Sequence, residues 1–161
     1  MSDRELFIGY GLNPIDGKGR VAIPTDLRSA LEVNSEGRLL FLAQHDCDPC
    51  LVGYDRGWSN LLNAEIQDDE GFERSAGRSF DRHNARRRAF SISERVPFDS
   101  SGRFILTGFL REEAQLGEHA FFNGVGNVFE IWNPQTLLDT PGVEDRVKRA
   151  AAWHMKQRGI G

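Results

Sequence analysis

Apolar and polar residues alternate along the first third of the chain in short runs, a pattern that predicts β-strands separated by turns. The turn residues Asp16-Gly-Lys-Gly separate the first two runs, which are expected to form a hairpin, and Pro24 then opens a short helix. The strand-like runs are residues 7–15, 20–23, 39–42 and 51–54. The predicted order is therefore strand, turn, strand, helix, strand, strand.

The second half of the chain repeats this order. Its turn is Asp99-Ser-Ser-Gly, its short helix covers residues 108–114, and its strand-like runs are residues 91–98, 103–106, 120–123 and 128–132. An internal copy indicates that one small unit was built twice, so a residue present in both copies is constrained by structure, by function or by both. The retained pairs are Pro14 and Pro97, Asp16 and Asp99, Gly19 and Gly102, and Arg20 and Arg103.

These elements predict a mainly β protein with short helices, of the α+β class. A helix is expected after each unit, from about Asp55 to Ile66 and from Pro134 onward, where Asn133 is a natural N-cap. The chain is therefore divided into a first unit (7–56), a helical Arg-rich linker (57–90), a second unit (91–134) and a C-terminal helix (135–161).

Composition narrows the class of protein. The chain has 161 residues, 39% of them hydrophobic, and eleven Phe, enough to bury a real core. No apolar run approaches the roughly 20 residues of a membrane helix, and the Met-Ser-Asp-Arg-Glu start lacks the features of a signal peptide. Two Cys are too few for a disulfide framework. We therefore expect a cytoplasmic protein with no membrane partner.

The net charge of −4 argues against general attraction to a polyanion, so any nucleic-acid site must be a local basic patch. The two turns are the candidates. Asp and Gly at these positions are explained by turn geometry, because Asp accepts turn N–H groups and Gly adopts positive φ. The following Arg either pairs with the Asp across the turn or is a cation presented to phosphate or a base edge. Two copies, one with an added Lys18, favour presentation.

The repeated Asp-x-x-x-Arg motif, the Phe7-Ile-Gly9 start, the Gly-Lys-Gly-Arg-Val-Ala-Ile-Pro stretch and the Phe129-Glu-Ile-Trp132 close resemble the MraZ family. The resemblance implies two tandem AbrB-like swapped-hairpin β-barrel units that form a pseudo-dimer. It also implies a sequence-specific transcriptional regulator that is cytoplasmic and nucleoid-associated. Such regulators assemble into a homo-oligomeric ring and bind short direct repeats of double-stranded DNA upstream of the division and cell-wall genes.

Residue roles follow from this resemblance by position. The DNA-binding residues expected are Asp16, Lys18, Arg20, Asp99 and Arg103, and the turn-forming residues are Gly19 and Gly102. No motif in the sequence forms a recognisable catalytic constellation, so we expect no enzymatic activity, no cofactor, no metal and no small-molecule substrate. An alternative function is a protein-interaction module of the antitoxin type, which would use the same barrel to dock a partner protein.

Two other features offer competing chemistry. Arg74, Arg78, Arg82 and Arg86 recur every fourth residue and would form one stripe on a single helix. Such a stripe could bind DNA, face solvent, or pair with the acidic run at residues 65–70 of a neighbouring subunit. A role in packing and assembly is favoured over base recognition. Cys47-Asp-Pro-Cys50 has redox spacing but precedes a strand rather than a helix. With His45 nearby it is a partial zinc motif, and a small metal-dependent enzyme is the third class considered.

Overall fold

The computed structural model describes residues 4–160. Met1 to Asp3, part of the start read for a signal peptide, and Gly161, the end of the predicted C-terminal helix, lie outside this range. The strands are β1 (Tyr10–Pro14), β2 (Arg20–Ala22), β3 (Leu39–Gln44), β4 (Leu51–Tyr54), β5 (Ser93–Pro97), β6 (Arg103–Ile105), β7 (His119–Gly124) and β8 (Phe129–Trp132). The helices are α1 (Thr25–Ser35), α2 (Arg56–Ser75), α3 (Arg82–Phe90), α4 (Phe109–Glu113), α5 (Pro134–Asp139) and α6 (Asp145–Gln157).

The strands form an antiparallel six-stranded sheet and a separate two-stranded ladder. The order in the large sheet is β1-β7-β8-β4-β3-β5, and the ladder pairs β2 with β6. Strands of the two halves are therefore interleaved, since β1 pairs with β7, β5 with β3, and β2 with β6. The α+β class with short helices predicted from sequence is confirmed, but the expected predominance of β-structure is wrong, because helices α1 to α6 contain more residues than strands β1 to β8.

One local expectation is wrong. The sequence predicted that β1 and β2 form a hairpin, and the turn between them does form, but the two strands then separate into different sheets. Each strand finds its ladder partner in the other half of the chain. The internal repeat offers each of these strands two similar partners, one nearby in its own half and one in the other half. Pairing with the distant partner is favoured because it buries both halves in one core.

Pairing between the halves places equivalent residues opposite each other. Val21 lies opposite Phe104 in the β2–β6 ladder, and these residues occupy the same position in the two copies. Val52 lies opposite Glu130 in the β4–β8 pair, which is again a matched pair in the two copies. The two halves are thus related by an approximate twofold axis that passes between the paired strands.

The main core is shared by both halves. Leu27 of α1 and Leu110 of α4, which align in the two copies, are both fully buried in it. Val21 and Phe104 point into the same core from the ladder, each 2% exposed. Because one continuous cluster contains both ladder strands and both short helices, the position of each turn depends on residues from the opposite half.

The helices differ from prediction in length and number. α2 begins after Asp55, whose side chain accepts the Trp58 N–H as an N-cap, and it runs to Ser75 rather than Ile66. Asn133 caps α5 as predicted, accepting N–H groups from Gln135 and Thr136. The C-terminal segment is two helices, α5 and α6, because Pro141 and Gly142 interrupt it. No helix within residues 4–160 is long and apolar enough to cross a membrane.

Candidate nucleic-acid interface

The first turn, residues 16–20, is organised by the carboxylate of Asp16. Its Oδ1 accepts the backbone N–H groups of Lys18 and Arg20 at 2.8 and 2.9 Å. Its Oδ2 accepts the Arg20 Nε–H at 2.8 Å. Gly19 closes the turn with φ of +83° and donates its N–H to the Asp16 carbonyl at 2.9 Å. One carboxylate therefore fixes both the backbone of the turn and the guanidinium that follows it.

The second turn, residues 99–103, repeats this geometry. Asp99 Oδ1 accepts the N–H groups of Ser101 and Arg103, both at 2.9 Å, and Oδ2 accepts Arg103 Nε–H at 2.9 Å. Gly102 has φ of +81°. The turn-forming roles predicted for Gly19 and Gly102 fit these torsion angles, which glycine adopts without the steric cost that a Cβ adds.

Each arginine is held by one edge and free at the other. Arg20 and Arg103 donate Nε–H to their aspartates, while their Nη atoms have no hydrogen-bond partner within residues 4–160. The side chains of Arg20 and Arg103 are 49% and 56% exposed. A guanidinium with a fixed plane and free Nη–H groups is suited to bidentate hydrogen bonding with a phosphate or a base edge.

The β2–β6 ladder brings the two arginines to one surface. Arg20 lies opposite Ile105, and Arg103 lies opposite Ala22, so the two arginines are two register positions apart along the ladder. Val21 and Phe104 face the core, which places the alternating residues on the outer face. Arg20 and Arg103 line one shallow cleft of about 270 Å³, with Asp16 and Asn13 beside them. Residues distant in sequence thus form a single paired basic surface.

Hydrogen bonding keeps both turn carboxylates ionised. The Arg20 backbone N–H, followed by its side chain, lowers the pKa of Asp16 from an ordinary value of 3.8 to about 2. The Arg103 backbone N–H is likewise the main cause of the lowered pKa of Asp99. Both turns are therefore in their charged, arginine-holding form throughout the physiological pH range.

Two further arginines support the turns, and their roles were not foreseen from the sequence. Arg111 donates to the carbonyl oxygens of Leu106, Leu116 and Gly117, and it lies beside Gly19. At the matching position of the first copy, Arg28 lies against Gly102. The alignment of Leu27-Arg28 with Leu110-Arg111 was the available signal, but it could not show that each arginine crosses to the opposite turn.

The Arg-rich linker does not form one stripe. α2 ends at Ser75 and α3 begins at Arg82, so the four-residue spacing runs across a break in the helix. The arginines also pair within the chain, because Arg74 and Arg82 contact Glu70 at 2.9 and 4.0 Å, and Arg78 pairs with Glu73. The acidic partner expected from a neighbouring subunit is therefore supplied, at least for these residues, by α2 itself.

The Cys47–Cys50 loop joins β3 to β4. Ligand atoms of His45, Cys50 and Glu130 lie within 4.8 Å of one another, and Glu130 was not identified from the sequence. His45 Nδ1 accepts backbone N–H groups from Cys47 and Asp48. This places the proton of the neutral ring on Nε2, which lies 3.4 Å from Glu130 Oε2. A metal at Nε2 would require a proton on Nδ1 and the loss of both loop hydrogen bonds.

The pKa shifts in this loop agree with a hydrogen bond between His45 and Glu130. Burial raises the pKa of the Cys50 thiol above its ordinary value, which disfavours a reactive or metal-binding thiolate. Burial also acts to raise the pKa of Glu130, but hydrogen bonds from His45, Trp132 and Asn123 outweigh it and lower that pKa. These residues fit a structural role in holding the loop against β8.

The chain is similar to known proteins over most of its length. A family model described as "MraZ protein, putative antitoxin-like" matches residues 89–138. A protein named transcriptional regulator MraZ from Rhodospirillum rubrum is 34% identical over 143 residues, which cover 87% of each chain. Its namesake from Roseiflexus castenholzii is 34% identical over 81% of this chain and 82% of the relative. The transcriptional regulator MraZ from Gluconobacter oxydans is 30% identical over 83% of this chain and 79% of the relative. With this identity over most of its length, the chain belongs to the MraZ family.

Proposed function

We propose that this protein is a transcriptional regulator that binds double-stranded DNA sequence-specifically through the paired turns on the β2–β6 ladder. Its relatives are named as transcriptional regulators, which supports the regulatory role. The observation that carries the DNA-binding role is the common surface of Arg20 and Arg103, each fixed through Nε and free at Nη. Asp16 and Asp99 act by holding the cations, and Lys18 adds a charge on the first turn.

The same proposal extends to the architecture. We interpret residues 7–56 and 91–134 as two AbrB-like units that exchange strands to form a swapped-hairpin pseudo-dimer, joined by the linker at residues 57–90. The pairings of β1 with β7, β5 with β3, and β2 with β6 support this interpretation. We further propose a binding role rather than a catalytic one, in the cytoplasm at the nucleoid, which is supported by the naming of its relatives as transcriptional regulators.

Assembly completes the proposed mechanism. One pair of turns offers few contacts to DNA, so a single subunit should bind weakly. A homo-oligomeric ring that places several pairs of turns on adjacent direct repeats gains affinity through effective concentration. Ring formation is therefore part of the proposed function rather than an independent property.

Binding to a duplex from the region upstream of the protein's own gene tests the proposal. Fluorescence anisotropy should show specific binding that weakens steeply with salt, because contacts of Arg and Lys with phosphate release counterions. The Arg20→Ala/Arg103→Ala protein should lose this binding while keeping its melting temperature. Equal affinity of the variant and the wild type, or an affinity insensitive to salt, would refute the proposed interface.

The antitoxin-type alternative has one observation in its favour. The segment around β1 exposes apolar side chains, with Ile8 71% and Tyr10 56% exposed, as a protein-docking surface would. A complex formed through this face would persist at high salt, because apolar burial does not depend on counterion release. Salt dependence therefore distinguishes the two functions.

A further inference from the structure

A cleft of about 450 Å³ lies between the large sheet and the linker helices α2 and α3, away from the paired turns. We call it the α2–α3 cleft. Its apolar lining comes from Ala43, Val52 and Tyr54 of the sheet and from Val128 just before β8. The helices contribute Trp58, Leu62, Ile66, Ala85 and Ala89. A volume of this size lies within the roughly 300–1,000 Å³ range of small-molecule sites.

The helical cover over this part of the sheet is thin. Of the 20 residues of α2, only Ile66 is buried, and α3 has no buried residue. The sheet residues beneath form a small separate cluster centred on Phe41, Ala43 and Tyr54. Val52, Trp58 and Val128 are packed against this cluster but remain only half-buried. The cleft is therefore an apolar surface that the chain leaves partly open to solvent.

The charge around the cleft is predominantly negative. Asp46, Glu65 and Asp69 line it, against one guanidinium, that of Arg88, and His45. Elsewhere on α2 the carboxylates are neutralised, since Glu70 pairs with Arg74 and Glu73 pairs with Arg78. Within residues 4–160, no such ion pair forms at Glu65 or Asp69. Carboxylates beside an apolar wall create a focused negative potential that favours a cation.

We propose that the α2–α3 cleft binds an organic cation with an apolar body, such as an arylalkylamine. The apolar part would lie over Val52, Leu62 and Ile66, and the ammonium group would lie among the carboxylates of Glu65 and Asp69. Trp58 adds an aromatic ring to the wall of the cleft, against which an apolar body can pack. This ligand site is separate from DNA recognition and does not depend on it.

The test compares 4-phenylbutylamine with its uncharged analogue 4-phenylbutan-1-ol by isothermal titration calorimetry on the full chain. We expect one amine per subunit and binding of the alcohol that is weaker by several-fold to about tenfold, because the ammonium group pairs with two solvent-exposed carboxylates. Failure of the amine to bind at millimolar concentration, or equal binding of both probes, would overturn the proposal.

Variants locate the site. Glu65→Gln/Asp69→Asn should weaken amine binding by several-fold to about tenfold and leave alcohol binding unchanged. Asp68→Asn is the matched control, because Asp68 is exposed on the same helix but does not line the cleft. Ala85→Phe should block both probes by filling the cleft, and its melting curve checks folding. Equal weakening by Asp68→Asn and by Glu65→Gln/Asp69→Asn would show a general charge effect and refute the site.

Discussion

Arg111 of α4 covers Gly19 of the first turn, although the two residues belong to different halves of the chain. Leu106 joins them, because its carbonyl accepts from Arg111 Nη1 at 3.2 Å and its N–H donates to the Gly19 carbonyl at 2.8 Å. The turn is thus held from outside by the opposite half as well as from inside by Asp16. This double support explains how a short exposed turn keeps a fixed guanidinium in place.

Gly19→Val should destabilise the protein by about 2 kcal/mol or more, from strain at positive φ and from overlap. A Cβ at Gly19 would lie 2.6 Å from Thr107 Cγ2 and 2.8 Å from the Leu106 carbonyl oxygen. Gly17→Val is the control, since a Cβ there has no neighbour within 4 Å. Urea unfolding measures both variants, and equal loss of stability would show that the packing of Gly19 is unimportant.

Arg20→Ala and Arg103→Ala should each reduce DNA affinity by about tenfold or more, since a bidentate contact provides roughly 1–3 kcal/mol of discrimination. Their melting temperatures should stay near that of the wild type, because each arginine is exposed and makes one ion pair. Arg74→Ala, which breaks an exposed pair with Glu70, should leave affinity unchanged. Unfolding by Arg20→Ala would instead identify the Asp16–Arg20 pair as a structural clamp.

Asp16→Asn should preserve the backbone of the turn and remove its hold on the Arg20 guanidinium. The amide oxygen still accepts the two backbone N–H groups, whereas the amide nitrogen cannot accept from Arg20 Nε, so folding should persist and DNA affinity should fall.

The pKa of Asp16 is lowered from 3.8 to about 2, so its charge contributes stability that is complete above pH 4 and lost as the pH falls towards 2. The difference in melting temperature between variant and wild type should therefore narrow over that interval. A constant difference would contradict this role.

Arg4→Met should be strongly destabilising. Arg4 Nη2 lies 2.5 Å from Asp55 Oδ1, and the Asp55 side chain is fully buried. Removing one partner of a buried pair costs about 3–5 kcal/mol, because the remaining charge is left without compensation. Adding Asp55→Asn to Arg4→Met removes that charge but keeps an acceptor for the Trp58 N–H, so it should restore part of the loss in urea unfolding. No recovery would show that the two residues act independently.

The sequence was sufficient for local structure but not for the choice of partners. Strand and turn positions followed from alternation and from Asp-Gly spacing, and the limits of β4 were predicted to the residue. Which strand pairs with which did not follow from the alternation, because a duplicated pattern offers the near and the distant copy equally. Only the family resemblance, which implied swapped hairpins, pointed to pairing between the copies. The break between α5 and α6 has a sequence signal, the Pro141-Gly142 pair, whereas the contact of His45 with Glu130 has none.

In the candidate interface, the individual residues could be predicted from the sequence but their arrangement could not. The repeated motif identified Arg20 and Arg103 individually, and turn chemistry explained Asp16 and Asp99. Their shared surface depends on the register of β2 against β6, which is set by burial of Val21 and Phe104 from opposite halves. Long-range packing, rather than any local pattern, therefore determines that the two cations lie on one surface.

The number and spacing of DNA repeats should control affinity. If each subunit presents one pair of turns, an operator with three or four direct repeats should bind far more tightly than one with a single repeat, because each added contact is made at high effective concentration. The repeats must also face the same side of the duplex, so inserting about five base pairs, roughly half a helical turn, between them should abolish most of the gain. Anisotropy with these duplexes, alongside light scattering to measure oligomer size, separates avidity from single-site affinity. A protein that is monomeric and binds one repeat as tightly as four would refute the ring mechanism, while leaving the roles of Arg20 and Arg103 to be judged by their own variants.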